Sequence, residues 1–412
     1  MVLKNLSYDL RQYLLVTFNY WNFTLTDGAL RMLVVLHFYS LGYQSLEIAM
    51  LFLFYEFFGV VTNLVGGWLA SRLGLNRTMN FGLGLQIFAL LLLTVPSQWL
   101  SVPLVMFAQA LSGIAKDLNK MSAKTAIKKL VSSKQQGKLY QWVAILTGSK
   151  NALKGAGFFL GGALLSLIGF RNTLFAMATV LALVLIMSLI WLNRDFGKSR
   201  AKAKFSHIFS DNRAINILSA ARMFLFGSRD VWFVIALPVY LSGVFEWSHS
   251  ETGGFMALWV MGYGFVQGLA PRITGNESDS PPGRRAATVW AAALLLSAIA
   301  VASGIQLEWH PELTIIAGLL VFGAIFAINS SLHSYLIVSY AREDGASMDV
   351  GFYYMANAMG RLTGTLLSGW LFQLGGLTVC LWVSCLFVAL TTLISLGLPR
   401  LHPHAPSPVN KL

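Results

Sequence analysis

The sequence predicts an all-α polytopic membrane protein with twelve transmembrane helices in two six-helix pseudo-repeats, and three observations lead there. First, 56% of the 412 residues are hydrophobic and only 11% charged, with a mean hydropathy of +0.64. A soluble domain carries about 25% charge. Second, apolar runs of the roughly 20 residues needed to cross a bilayer recur along the chain. Third, a basic residue followed by small residues at fixed spacing stands in the fifth run and returns in the eleventh.

Taken in order, the twelve runs are 12–38, 45–70, 78–96, 101–121, 139–168, 172–193, 213–244, 252–271, 286–306, 313–339, 348–374 and 376–398. Connections are short except at 122–138, after the fourth run, and at 194–212, which divides the runs six and six. The expected organisation is therefore a first half at 1–193, a basic linker at 194–212, a second half at 213–399 and a tail at 400–412. Residues 1–11 are too polar for a cleaved signal peptide. Cys380 and Cys385 lie five apart on one helix, which reads as core packing rather than a disulfide or a metal cage. No cofactor is expected.

Lys and Arg set the orientation. Five connections on one side, at 39–44, 97–100, 246–251, 307–312 and 375–376, carry no basic residue, and Arg171 is the single basic residue on that side. The opposite side holds Lys4, Arg11, Arg72, Arg77, Lys120, Lys124, Lys128, Lys129, Lys134, Lys138, Arg194, Lys198, Arg200, Lys202, Lys204, Arg272, Arg284, Arg285, Arg342 and Arg400. The positive-inside rule then puts both termini in the cytoplasm of a cell whose inner (plasma) membrane the chain crosses. Most of the net charge of +13 is topology signal, so the basic balance does not imply a nucleic-acid partner.

The repeat is specific. Lys154-x2-Gly157-x3-Gly161-Gly162 in the fifth span matches Arg361-x2-Gly364-x3-Ser368-Gly369 in the eleventh, and Leu164/Leu371, Leu167/Leu374 and Gly169/Gly376 keep the same offset. Small residues at four-residue spacing let helices approach closely, but close packing does not account for a basic residue at the same place in both halves. Parallel pseudo-repeats of this kind are the arrangement of the major facilitator halves. Gly67-x3-Ser71-Arg72-x-Gly74-x2-Arg77, between spans two and three, resembles the loop signature of that superfamily, with Ser71 where an Asp is usual. In span four, Gln109-x2-Ser112-Gly113 stands where many proton-coupled members carry an arginine, and the arginine is absent.

Charges inside the spans are the functional signal, because each costs roughly 2.5–3.5 kcal/mol on insertion scales. At about 1.5 Å per residue, Lys150 lies some 16 Å into its span. Arg361 is as deep, Arg222 slightly shallower, Arg31 and Arg229 just beyond the middle, and Lys116 nearer the basic side. The bases Arg31, Lys150, Lys154, Arg222, Arg229 and Arg361 outnumber the acids Asp27, Glu56 and Asp230. An unpaired buried charge is costly, so the surplus points to an anionic cargo with two or more charges. Alternatives stand beside this reading. Arg31 can pair with Asp27 four residues away, Arg222 with an acid such as Glu56, and Lys116 can snorkel to the interface. Asp230, directly after Arg229, points about 100° away from it and is poorly placed to pair. Asn151, Gln267, Asn329 and Asn357 suit either helix–helix contacts or a ligand. His37, His333 and the aromatics Tyr20, Trp21, Tyr55, Trp142, Trp232 and Trp259 read first as packing or belt residues.

Four stretches resemble one family of the superfamily, the ArsJ organoarsenical efflux permeases. They are 19–31 (NYWNFTLTDGALR), 109–124 (QALSGIAKDLNKMSAK), 146–155 (LTGSKNALKG) and 226–233 (FGSRDVWF). The resemblance implies a major facilitator fold and export of 1-arseno-3-phosphoglycerate, conferring arsenate resistance. It also implies a functional link, without direct binding, to a cytoplasmic glyceraldehyde-3-phosphate dehydrogenase that makes the cargo. The expected carrier is a monomer in the bilayer, not an enzyme. It works by alternating access, with Arg31, Lys116, Lys150, Asn151, Lys154, Arg222, Arg229 and Arg361 at the substrate and Asp27, Glu56 or Asp230 as candidate proton carriers. An organophosphate or dicarboxylate exchanger of the same superfamily is the second reading. A membrane-embedded enzyme is remote, since no metal-ligand cluster or nucleophile elbow is present.

Overall fold

The computed structural model describes residues 8–43, 50–130, 136–192, 210–247, 249–275, 282–342 and 346–399. Among them every regular element is a helix, as an apolar chain in lipid requires, because each backbone amide must be satisfied within its own segment. The helices are α1 (Tyr8–Ser40), α2 (Leu53–Leu73), α3 (Leu75–Leu92), α4 (Val102–Leu130), α5 (Gln136–Trp191), α6 (Arg213–Phe233), α7 (Ala236–Gly243), α8 (His249–Thr274), α9 (Arg284–Gln306), α10 (Pro311–Tyr340) and α11 (Ala346–Ser395). Six described stretches are long and apolar enough to cross a membrane by length and composition alone, and Arg213–Leu241, joining α6 to α7, is one of them.

The two longest helices each contain two spans. Gly169 breaks α5 with φ 78°, and Gly375 with Gly376 breaks α11, Gly376 at φ 65°. Glycine alone takes a positive φ without a Cβ penalty. Each break separates a first arm that carries the repeated basic motif from a second arm. With these breaks, the described helices supply the twelve rods of the two-repeat fold. Gly74, at φ 95°, turns the chain between α2 and α3, and its amide donates to the Ala70 carbonyl at 2.9 Å. The loop signature thus forms a tight turn, with Arg72 stacked 4.8 Å from the Trp68 ring. The surroundings of Gly67, the side chain of Ser71, most of the linker and the tail 400–412 lie outside what is described.

The connection expected at 122–138 is partly helix. α4 continues to Leu130, and Lys120 and Lys124, read from sequence as topology signal, are buried on it.

The pseudo-repeat is visible in how the arms pack. A Cβ on Gly28 of α1 would meet the Lys154 carbonyl at 2.7 Å, and Gly157 and Gly161 leave equally little room against α1. In the second half, a Cβ on Gly364 would meet the Gly227 carbonyl at 2.9 Å and the Asp230 Cβ at 3.0 Å. Ser368, at the position of Gly161, accepts the Ala236 amide at 3.1 Å. The first arm of α5 therefore lies on α1 as the first arm of α11 lies on α6.

Three apolar cores hold the bundle. One lies at the end that carries both chain ends, and it mixes the halves: Tyr13, Val16, Met121, Ile127 and Tyr140 pack with Ile215, Leu218, Leu332, Tyr335, Tyr353 and Leu398. The other two lie towards the opposite end, and each belongs to one half. Leu33, Phe38, Leu51, Leu90 and Leu181 form the first, and Trp232, Leu237, Trp259, Phe322 and Leu381 the second. Polar contacts also cross between halves on the terminal side. Tyr140 and Thr274 hydroxyls stand 3.0 Å apart, and Asn151 Nδ2 donates to Gln267 Oε1 at 2.5 Å. Among the described residues, the apolar core shared by both halves closes the terminal end, while at the distal end each half keeps its own core.

Candidate anion-binding site

The helices that meet along the seam bring nearly all the in-span charges of the sequence together. A chain of ion pairs crosses from half to half. Arg31 Nη2 on α1 donates to Glu56 Oε1 on α2 at 3.1 Å, and Arg361 Nη2 on α11 donates to the same oxygen at 2.9 Å. Arg361 Nε then reaches Asp230 Oδ2 at 3.2 Å, and Arg229 Nη2 reaches Asp230 Oδ1 at 2.5 Å. Among the described residues, Glu56 is therefore the carboxylate of this ion-pair network that both halves share. The side chains of Arg31, Glu56 and Arg361 keep 27%, 21% and 25% exposure, so the bridge borders open space rather than a dry core.

Three sequence expectations change here. Arg31 reaches across to Glu56 instead of pairing with Asp27. Asp27 instead accepts the Tyr55 hydroxyl at 2.8 Å and 3.0 Å on its two oxygens. Arg229 and Asp230 do pair, because the long arginine stem swings the guanidinium back although the two Cβ directions diverge. Arg222 does not use Glu56. It donates to Asn357 Oδ1 at 2.9 Å and to the Ser330 carbonyl at 3.1 Å, with its guanidinium 3.9 Å from the Phe226 ring centre. Asn357 is thus a ligand of an arginine, whereas Asn329 caps the Trp290 carbonyl at 2.8 Å.

The lysines behave differently. Among the described residues, Lys150 and Lys154 have no carboxylate within ion-pair distance, and Lys154 Nζ stands 5.7 Å from the Phe158 ring centre. The charges that act on Lys154 are Arg31, Asp27, Arg361 and Lys150. Lys116 stacks 3.8 Å from the Tyr55 ring centre, on a ring that Arg31 also approaches at 4.8 Å, and reaches Asp117 at 3.7 Å. Lys120 also pairs with Asp117. Tyr55, Lys120, Lys124, Thr147 and Tyr354 also contact this cluster, where the sequence reading did not place them. The legible signal was the spacing of Lys116, Lys120 and Lys124, one helical turn apart on one face of α4.

The surplus of positive charge is therefore uneven. Around the Glu56 bridge, Arg31, Lys154, Arg229 and Arg361 face Asp27, Glu56 and Asp230. Towards the terminal end, among the described residues, Lys116, Lys120, Lys124, Lys150 and Arg222 gather around one carboxylate, Asp117, with Lys116 also acting on Glu56. The two cysteines are buried in the second arm of α11, with Cys380 Sγ 3.8 Å from the Ser368 carbonyl, and offer the seam no thiol. Among the described residues no group of His, Cys, Asp and Glu could hold a metal ion.

Solved structures share this architecture. The human organic anion transporter MFSD10 (TETRAN) superposes with a TM-score of 0.76 at 16% identity, covering 95% of this chain and all of its own. A bacterial homologue of the iron transporter ferroportin, in an outward-facing state, gives 0.73 at 15% identity over 93% of this chain and 98% of its own. The proton:xylose symporter XylE gives 0.72 at 13% identity over 94% of both chains. At these identities the likeness speaks for the fold. No curated protein matches the chain. The sequence profile of the Major Facilitator Superfamily matches residues 13–292. A seam lined from both halves, a duplicated six-helix fold and this match make the chain a secondary transporter rather than an enzyme, and it belongs to the Major Facilitator Superfamily.

Proposed function

We propose that this protein exports an organic polyanion, 1-arseno-3-phosphoglycerate, by alternating access and so confers arsenate resistance. The observation that carries the proposal is the seam itself, where among the described residues basic groups from both halves outnumber carboxylates and Lys150 and Lys154 make no ion pair. A buried cation without a counter-ion is costly, and an oxyanion supplies the missing charge. Lys binds such a group as a point charge and Arg by a planar fork. The absence of a thiol at the seam favours a hard oxygen anion over arsenite, which needs soft sulfur ligands. The stretches 19–31, 109–124, 146–155 and 226–233 support the particular cargo by their resemblance to the ArsJ family.

In this proposal the basic terminal end is cytoplasmic, by the positive-inside rule, in the inner membrane. The sealed terminal end then makes the described state outward-facing. The halves at 1–193 and 213–399 rock about the seam. Cargo entering from the cytoplasm meets the lysines and takes the place of Glu56 at Arg31 and Arg361. Once the cargo leaves outward, Glu56 returns to both arginines and hinders rebinding from outside.

The test is uptake of enzymatically generated arsenophosphoglycerate into everted vesicles, with and without a proton gradient. Uptake that depends on the carrier is expected. A folded carrier that moves none of it removes the export reading. Full competition by 3-phosphoglycerate or inorganic phosphate would instead favour an organophosphate exchanger.

A further inference from the structure

We propose that the sealed end of the seam contains a second, occluded oxyanion station built by Lys124, Lys150 and Arg222, separate from the Glu56 bridge. The inference deepens the polyanion reading and rests on it. Its distinguishing residue is Lys124, which is 3% exposed. Its ammonium donates to the Thr147 hydroxyl at 2.7 Å, and among the described residues no carboxylate lies within ion-pair distance. The charged groups that act on it are Lys150, Arg222 and Lys120, all cations. Among the described residues Asp117 is the acid that acts on Lys150, and it already serves Lys116 and Lys120.

The surrounding polar atoms suit an anion. Thr147, which holds Lys124, lies one turn before Lys150 on α5. Across the seam, Tyr354 of α11 lies beneath both lysines of α4, 4.6 Å from Lys120 Nζ and 5.3 Å from Lys124 Nζ to its ring centre. Arg222 stands 5.3 Å from the neighbouring Tyr353 ring centre. The Tyr20 and Tyr353 hydroxyls and both His333 nitrogens are buried without a hydrogen-bond partner in this region. Buried polar atoms are nearly always partnered, and two tyrosine O–H groups and the one N–H of a neutral His333, beside three cations, suit a ligand that brings several acceptor oxygens. A tetrahedral oxyanion, phosphate or arsenate, free or esterified, has that chemistry. The station faces the core shared by both halves, not the lipid, so a soluble anion fits it better than a lipid headgroup. It would be the first cation cluster that cargo reaches when the terminal end opens.

The experiment measures inorganic phosphate and arsenate binding to the purified full-length carrier by calorimetry and by the rise in its unfolding temperature. Phosphate is expected to stabilise the wild type. Lys124→Met should weaken phosphate binding by at least tenfold, while Lys124→Arg stays within a few-fold of wild type. Unchanged phosphate affinity in Lys124→Met overturns the station. If that variant cannot be purified, Lys150→Gln decides on the same criterion, with unchanged affinity again overturning it. Stabilisation by phosphatidylglycerol nanodiscs but not by phosphate would also overturn it, in favour of a lipid site. The transport assay separates the two proposals. Phosphate binding that needs Lys124 in a carrier that exports no arsenophosphoglycerate keeps the station and removes the export reading. Export by Lys124→Met with an unchanged KM removes the station alone.

Discussion

Glu56→Gln is the substitution that most directly probes how the halves are coupled. The amide keeps the size of the carboxylate and removes its charge, so both ion pairs to Oε1 are lost while packing is retained. A fully exposed pair is worth about 0.2–1 kcal/mol, and breaking a fully buried one costs about 3–5 kcal/mol. Arg31, Glu56 and Arg361 retain about a quarter of their exposure, which places each pair near the lower part of that range. At about 1 kcal/mol each, the two pairs contribute about 2 kcal/mol to the state described here, or about a thirtyfold shift in the balance between states. The assay is a spin-label distance between Leu41→Cys and Val244→Cys, exposed positions at the distal ends of the two halves, in a background with Cys380 and Cys385 replaced by Ser. Loss of the bridge should move the distribution from the long, distally open distance towards a short one. Phosphate affinity should rise at the same time, since Arg31 loses its carboxylate and Arg361 keeps only Asp230. An unchanged distance distribution in a folded Glu56→Gln carrier would refute the idea that Glu56 holds this state.

Two further outcomes follow from the same geometry. Lys154→Gln should abolish arsenate resistance while membrane abundance and unfolding temperature stay at wild-type values or rise, because among the described residues the lysine makes no ion pair to lose. Arg361→Gln should abolish resistance and also lower stability by about 2–3 kcal/mol, because Glu56 and Asp230 each lose a cation. Growth on arsenate and thermal unfolding of the purified protein separate the two, and full resistance in either variant removes that residue from the site. Gly364→Val should leave little folded carrier, as the added atoms meet the Gly227 carbonyl and Asp230 within about 3 Å. The check is the yield of monodisperse protein on size-exclusion chromatography.

The fold was legible because lipid leaves few options. Run length, the Lys and Arg distribution and the repeat around Lys154 and Arg361 each constrain topology, and the breaks at Gly169 and Gly375 fall between predicted spans. Depth along a helix was legible for the same reason, so the charged residues were found. Their pairing was not. Helical period fixes where a Cβ points, but Arg31 and Arg229 extend several bonds beyond it and choose partners set by tertiary packing. Lys120 and Lys124 were misread for a related cause. A lysine-rich helix end looks the same whether it emerges into water or runs under the tyrosines of another helix, and only the position of Tyr354 distinguishes the two.

The shared core at the terminal end gives the transport cycle a thermal signature. Opening that end separates Tyr140 from Tyr335, whose ring centres stand 4.7 Å apart, and wets the apolar side chains around them. Newly wetted apolar surface raises the heat capacity, and the association that opposes opening weakens on cooling. The balance between the two faces of the carrier should therefore follow a curved van't Hoff plot, with cold favouring the state open at the terminal end. The Glu56 bridge exchanges ionic contacts rather than oily surface and should add little to that curvature. Temperature thus acts mainly on the terminal gate, while the charge of the cargo acts mainly on the bridge.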